Sequence, residues 1–122
     1  MARSCQATMA TALLLSAPFT TIVPANAAKP KHCGEASWYA LHSTTASGET
    51  MVPSKLTAAH RHLGFGTHIK VVNEDNGRSV TVRINDRGPF VSGRVLDLSR
   101  GAARKLGFIG DGIADVCYRI IG

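Results

Sequence analysis

A chain of 122 residues, 44% apolar and 18% charged, is long enough for one folded domain, too short for two, and too apolar for a disordered polymer. Its formal charge of +6 suits anionic partners such as wall polymers, lipid phosphates or nucleic acid. The arginines are scattered and only 6% of residues are aromatic, which argues against the basic stacking platform of a nucleic-acid binder.

The N-terminus reads as a secretory signal peptide spanning 1–27. Met1-Ala2-Arg3 is a short positive start, Ala10 to Val23 is mostly apolar, and Ala25-Asn26-Ala27 is a small-x-small cleavage site. The apolar run is too short for a membrane span and is interrupted by Pro18, Thr20 and Thr21, so no stable membrane anchor is expected. Cleavage after Ala27 leaves 95 residues at net charge +5, expected as an exported, monomeric domain in the periplasm or outside the cell. Residues 28–33 read as a short polar leader and 34–122 as the domain. Cys5 departs with the signal, while Cys33 and Cys117 remain as an even pair, expected to form a disulfide in an oxidising compartment. Neither Cys5 nor Cys33 follows the apolar-small-small run that lipid attachment needs.

The domain reads as strands with one helix. Ala36 to Ala40 is a first strand, and His42 to Thr50 is polar and turn-like around Ser47-Gly48. Leu56 to His60 is a short element, Ile69 to Val72 a strand, and Arg78 to Asn85 its hairpin partner. Asn76-Gly77 between the last two suits positive φ. Val80, Val82 and Ile84 alternate with Thr81 and Arg83, the period-two pattern of a half-buried strand, and Gly88-Pro89 ends it. Arg94 to Leu98 is another strand. Ser99 is an N-cap, Ala102 to Leu106 a helical turn and Gly107 its stop. Gly112 to Ile121 closes the chain with Ile113, Val116, Tyr118 and Ile120 as apolar positions. About six short strands and one helix indicate a small closed barrel.

Asp86 stands where a strand breaks into a turn, a place where a rigid scaffold presents catalytic groups to a cleft. Glu49, His60 and Asp97 also lie at turns or strand ends. Carboxyls and an imidazole in one cleft can cut a glycosidic bond by acid–base chemistry. Each has a plainer reading. Glu49 caps a turn, His60 is a hydrogen-bonded barrel histidine, Asp97 binds backbone amides near the helix start, and Arg87 balances Asp86. His60, His62 and His68 lack metal-ligand spacing, and no phosphate loop, serine elbow or Cys-x-x-Cys is present, so neither metal nor cofactor is expected.

Seven segments together resemble the rare lipoprotein A (RlpA-like) domain: Gly34 to Tyr39, Thr45 to Glu49, Leu56 to His60, Phe65 to Thr67, Asn76 to Val80, Ile84 to Phe90 and Gly93 to Ser99. The resemblance implies a six-stranded double-psi β-barrel and a peptidoglycan lytic transglycosylase. The implied reaction cuts glycan strands between N-acetylmuramic acid and N-acetylglucosamine and forms an anhydro sugar. By position it implies Asp86, Glu49 and His60 as catalytic residues, with Asp86 delivering the proton. Arg87, Asp97 and Tyr39 are implied as substrate contacts. The alternative is a non-catalytic, expansin-like wall-binding or wall-loosening protein. The chain departs from the family pattern between Tyr39 and Thr45, where five residues replace a longer glycine-containing loop. The family's C-terminal glycan-binding domain and lipid-attachment cysteine are not matched.

Overall fold

Period-two alternation in the sequence becomes six strands that close on themselves. In the computed structural model, which describes residues 12–18 and 30–122, they are β1 (His32–Tyr39), β2 (Thr57–Ala59), β3 (His68–Asn73), β4 (Ser79–Asp86), β5 (Arg94–Ser99) and β6 (Ile113–Ile120), with helix α1 (Arg100–Leu106) before the last. The order around the closed barrel is β1-β5-β2-β4-β3-β6, with β1/β5 and β2/β4 parallel and the other pairs antiparallel. The expected signal peptide lies outside the described residues apart from 12–18, which carry no helix or strand. Among the described residues no helix is long and apolar enough to cross a membrane.

One face of each strand fills the barrel. Ala36, Ala58, Val82, Ile84, Leu96 and Leu98 are buried there, joined from the other side by Ile69, Val71, Ala114 and Val116. The helix covers this core with Ala102, Ala103 and Leu106, packing on β1, β4 and β5. Ser99 accepts from Ala102 N as the N-cap, and Gly107 takes the left-handed conformation, φ 77°, that ends the helix without a Cβ penalty. Only Gly77 of the Asn76-Gly77 pair adopts positive φ; the Asn76 amide is spent instead on the Leu106 carbonyl at 2.8 Å, beside that of Asn73 at 2.9 Å. The last strand also departs from the sequence reading. Ala114, Val116 and Tyr118 face inward, whereas Ile113 and Ile120 are exposed at the strand ends.

β1 begins at His32, inside the stretch read as a polar leader. Its first turn of register places Cys33 directly across from Cys117 on β6, and the two form a disulfide. The bridge spans 84 residues and fastens the seam between the first and last strands.

A second tie on the β6 side comes from His60, just past β2. Its Nδ1 accepts from the amides of His62 and Leu63, both at 3.0 Å, so the ring proton is assigned to Nε2, which donates to Tyr118 Oη at 2.6 Å. Burial, reinforced by the nearby His62, Arg61 and Arg87 charges, pushes the His60 pKa down to about 4. The ring is thus a neutral structural tie.

Two stability predictions follow from these ties. Closing an 84-residue loop constrains the unfolded chain by roughly 4.5 kcal/mol. Reduction of Cys33–Cys117 therefore lowers the melting temperature by at least about 10 °C, read by thermal denaturation with and without reductant. For His60, the folded state disfavours the protonated ring. Its contribution to stability is complete above the unfolded value of about 6.5 and is lost as pH falls from there through about 4. The melting temperature of the native chain drops more steeply over that window than that of His60→Gln; parallel slopes would refute the assignment.

Candidate active site

The site is built by register. Ser37 pairs with Asp97 across β1/β5, Asp97 with Ala59 across β5/β2, and Ala59 with Asp86 across β2/β4. The inward neighbours of these residues, Ala36, Leu96, Leu98, Ala58 and Ile84, are fully buried, so the row Ser37–Asp97–Ala59–Asp86 lies on the outer wall. Asp86 reaches that wall through a β-bulge. Arg83 pairs with Thr57 and Ile84 with Ala58, but Ala59 pairs with Asp86, which makes Asn85 the extra residue. Strict alternation would have sent Asp86 inward with Ile84. Asp97 and Asp86 thus lie two strands apart on that wall, with Ala59 as the register position between them.

Asp86 is an acceptor at three places. Oδ1 accepts from Ala46 N at 2.9 Å and Arg87 N at 2.8 Å, and Oδ2 accepts from Tyr39 Oη at 3.0 Å. Burial and then the Asp86 charge raise the Tyr39 phenol above its ordinary range, so it stays protonated and donating. Asp97 sits in a different environment. Burial pushes its carboxyl up, the neighbouring Asp86 charge adds to that, and a 3.0 Å hydrogen bond from Ser37 Oγ together with Arg94 opposes it. One outer face thus holds two carboxyls with unlike surroundings, the usual arrangement for separating acid from base work.

The structure brings together Asp86, Asp97 and Tyr39 of the residues singled out in the sequence. It does not bring the Glu49 carboxylate or the His60 ring into hydrogen bonding with Asp86. Glu49 forms a bidentate pair with Arg83, at 2.8 and 3.1 Å, and accepts from Asn85 Nδ2 at 3.0 Å. These hydrogen bonds, from Arg83 first and then Asn85, hold its carboxyl below the usual range. Its backbone carbonyl also closes the turn by accepting from Thr45 N at 2.7 Å. Glu49 therefore staples the 45–49 loop to β4, and the same loop supplies the Ala46 amide to Asp86. His60 has both nitrogens occupied, which matches the plainer of its two readings.

Arg87 forms no ion pair with Asp86 and is largely spent on structure. Its Nη1 donates to the carbonyls of Leu63 at 2.8 Å and His60 at 3.3 Å, and its guanidinium lies 4.0 Å from the Phe65 ring centroid. It clamps the 60–65 loop; Phe65, half exposed beneath it, offers the free surface. Sequence reasoning missed Ser37, Arg83 and Arg94. Ser37 was within reach of it, because it lies two residues before Tyr39 on the same strand face. Among the described residues there is no cluster of three potential metal ligands.

Comparison with known proteins places the chain in a family and supports its fold. "Probable endolytic peptidoglycan transglycosylase RlpA" of Nostoc sp. is 62% identical over 78 residues, covering 64% of this chain and 21% of that protein. The chain spans about a fifth to a third of the length of the curated relatives it matches. Among solved structures, the Streptomyces papain inhibitor superposes with TM-score 0.66 at 20% identity, covering 76% of this chain and 96% of that one, which supports the fold alone. The apo expansin of Clavibacter michiganensis gives TM-score 0.62 at 26% identity, covering 76% of this chain and 51% of that one. The lytic transglycolase family matches residues 31–118, from just before β1 to within β6, and the chain belongs to that family, on a six-stranded double-psi β-barrel.

Proposed function

We propose that this chain cuts peptidoglycan glycan strands between N-acetylmuramic acid and N-acetylglucosamine and leaves 1,6-anhydro ends. It does so without a cofactor, outside the cytoplasm, where its disulfide persists. The observation that carries the reading is the pair Asp86 and Asp97, held on either side of Ala59 by unlike environments. Asp97, whose burial raises its pKa above the ordinary aspartate value, gives its proton to the bridging oxygen as the C1–O bond breaks. Asp86 faces the developing oxocarbenium charge and takes the proton of the sugar's C6 hydroxyl while O6 bonds to C1. One proton leaves and one is taken up, no water is consumed, and exchange with solvent resets the pair. The sequence alone had assigned proton delivery to Asp86, with Glu49 or His60 in support. The unlike surroundings of the two aspartates favour the division of labour instead. Tyr39 and Glu49 act as positioning residues for Asp86, and Arg87 and His60 hold the loop beside it.

The second reading, an expansin-like wall binder, draws on the solved expansin and on the placement of both acids on an outer wall. Product analysis separates the two. Denuded glycan strands incubated with the chain yield anhydro-ended fragments by mass spectrometry, and Asp86→Asn or Asp97→Asn lowers that yield by about 100-fold or more. Reducing ends would indicate a hydrolase, and intact strands retained on the protein would indicate the binder.

The pH dependence has a defined sign. Activity needs Asp97 protonated, so it falls as pH rises through that raised pKa. Ser37→Ala removes a hydrogen bond that lowers the pKa and shifts the alkaline limb to higher pH; a shift downward would refute the role of Asp97. For stability, the folded state binds the Asp97 proton more tightly than the unfolded chain does. That contribution is present at low pH and is lost as pH rises from the ordinary aspartate range through the raised value. At neutral pH, Asp97→Asn therefore leaves the melting temperature unchanged or higher while activity disappears.

A further inference from the structure

We propose that a cavity beside Ala40, flanked by Arg100 and Arg104, binds the carboxylate-bearing lactyl group of a muramic acid residue lying along the strand from the cleavage point. The inference rests on the reading above and adds a specificity site to it. The cavity holds about 340 Å³, and its titratable lining residues are Arg100, Arg104 and His42, with no carboxylate among them. Arg100 and Arg104 are one helical turn apart and share a face of α1. Neither makes an ion pair or a side-chain hydrogen bond among the described residues, unlike Arg83, Arg87 and Arg94. Two uncommitted guanidinium groups bordering one concavity are suited to an oxyanion.

The cavity is preformed. Its far wall is the 51–55 segment, locked down by the buried Met51 and by the Gly101 amide donating to Pro53 O at 2.8 Å. Backbone lies so close to Gly101 that a Cβ there would come within 2.5 Å of the Ser54 carbonyl oxygen, so only glycine permits this seat. Val52 and Pro53 give the wall an apolar surface beside the two cations. A lactyl ether presents that combination, a methyl next to a carboxylate, whereas an N-acetylglucosamine residue carries no anion.

Its position suits a strand already bound at the acidic pair. Ala40 follows Tyr39 in the chain, and Arg100 follows Ser99, the register partner of Tyr39. Ser37 lies level with Asp97, and three residues of strand, roughly 10 Å, separate it from Ala40. The cavity is therefore a continuation of the catalytic wall along the β1 direction.

The test uses equilibrium binding by the full chain carrying Asp97→Asn, which suppresses turnover. The probes are denuded glycan strands with free lactyl carboxylates, the same strands amidated with methylamine, and chitohexaose. We expect the free-acid strands to bind roughly tenfold more tightly than the amidated ones. In the Arg100→Gln/Arg104→Gln variant the difference falls below about twofold, while chitohexaose affinity and melting temperature stay the same. Raising the salt concentration narrows the difference in the parent and not in the variant. Equal binding of free and amidated strands, a preference that survives the double substitution, or equal loss on all three probes overturns the proposal. A polyol phosphate chain serves as a fourth probe, and its binding more tightly than the free-acid strands also overturns the proposal. Anhydro-end formation by the Asp97-containing chain is scored separately. Charge preference without cleavage would sink the catalytic reading and leave this site standing, and cleavage without charge preference would do the reverse.

Discussion

One extra residue in β4 determines where Asp86 sits. Asn85 breaks the alternation by a single step, and the break turns Asp86 from the barrel interior to the wall that already carries Asp97. An ionised Asp86 beside Ile84 in a fully apolar core would be prohibitively costly. The bulge removes that cost and sets the distance between the acids at the same time. Most other features around the site serve to hold this register. The Glu49–Arg83 pair fastens the loop that caps Asp86, Arg87 fixes the chain leaving it, and His60 ties the strand beside it to β6.

The two acids differ because their neighbours differ. Asp86 receives two backbone amides and a phenol, so a negative charge there is met on every side by donors. Asp97 receives one hydroxyl and is half-buried, so its charge is poorly compensated. The Asp86 charge adds to the effect of burial on Asp97 and makes proton loss from it harder. Tyr39 binds the two halves of the site, because it lies two residues past Ser37, which serves Asp97, and itself serves Asp86.

Much of this was legible in the chain, for identifiable reasons. Alternation located β4, short apolar runs located β3 and β5, and Ser99 and Gly107 bounded the helix, because local propensity and tertiary packing agree there. β1 was cut short at its start because His32 and Cys33 are polar or small; only their pairing with β6 makes them strand. The bulge was not legible, since Asn85 looks like any outward residue of a period-two pattern. Nor was the fate of Glu49, whose partner Arg83 lies 34 residues away and meets it only after the barrel closes. Resemblance to a family named Asp86, Glu49 and Asp97 alike, but it could not show that Glu49 is bonded to Arg83 and Asn85 while Asp86 accepts from the loop amide of Ala46.

Closure of the barrel also shapes how the chain must reach it. β3 and β4 form a hairpin and can pair as soon as both exist, but β1 finds its partners only in β5 and β6, about 60 to 86 residues later. Trp38 and Ala36 therefore wait, unpaired and apolar, while nearly all the rest of the chain is made. Such long-range pairing gives high contact order and slow assembly, with a period of vulnerability to association before the seam is sealed. A protein built this way depends on surroundings that keep its first strand apart from its neighbours until its last strand arrives.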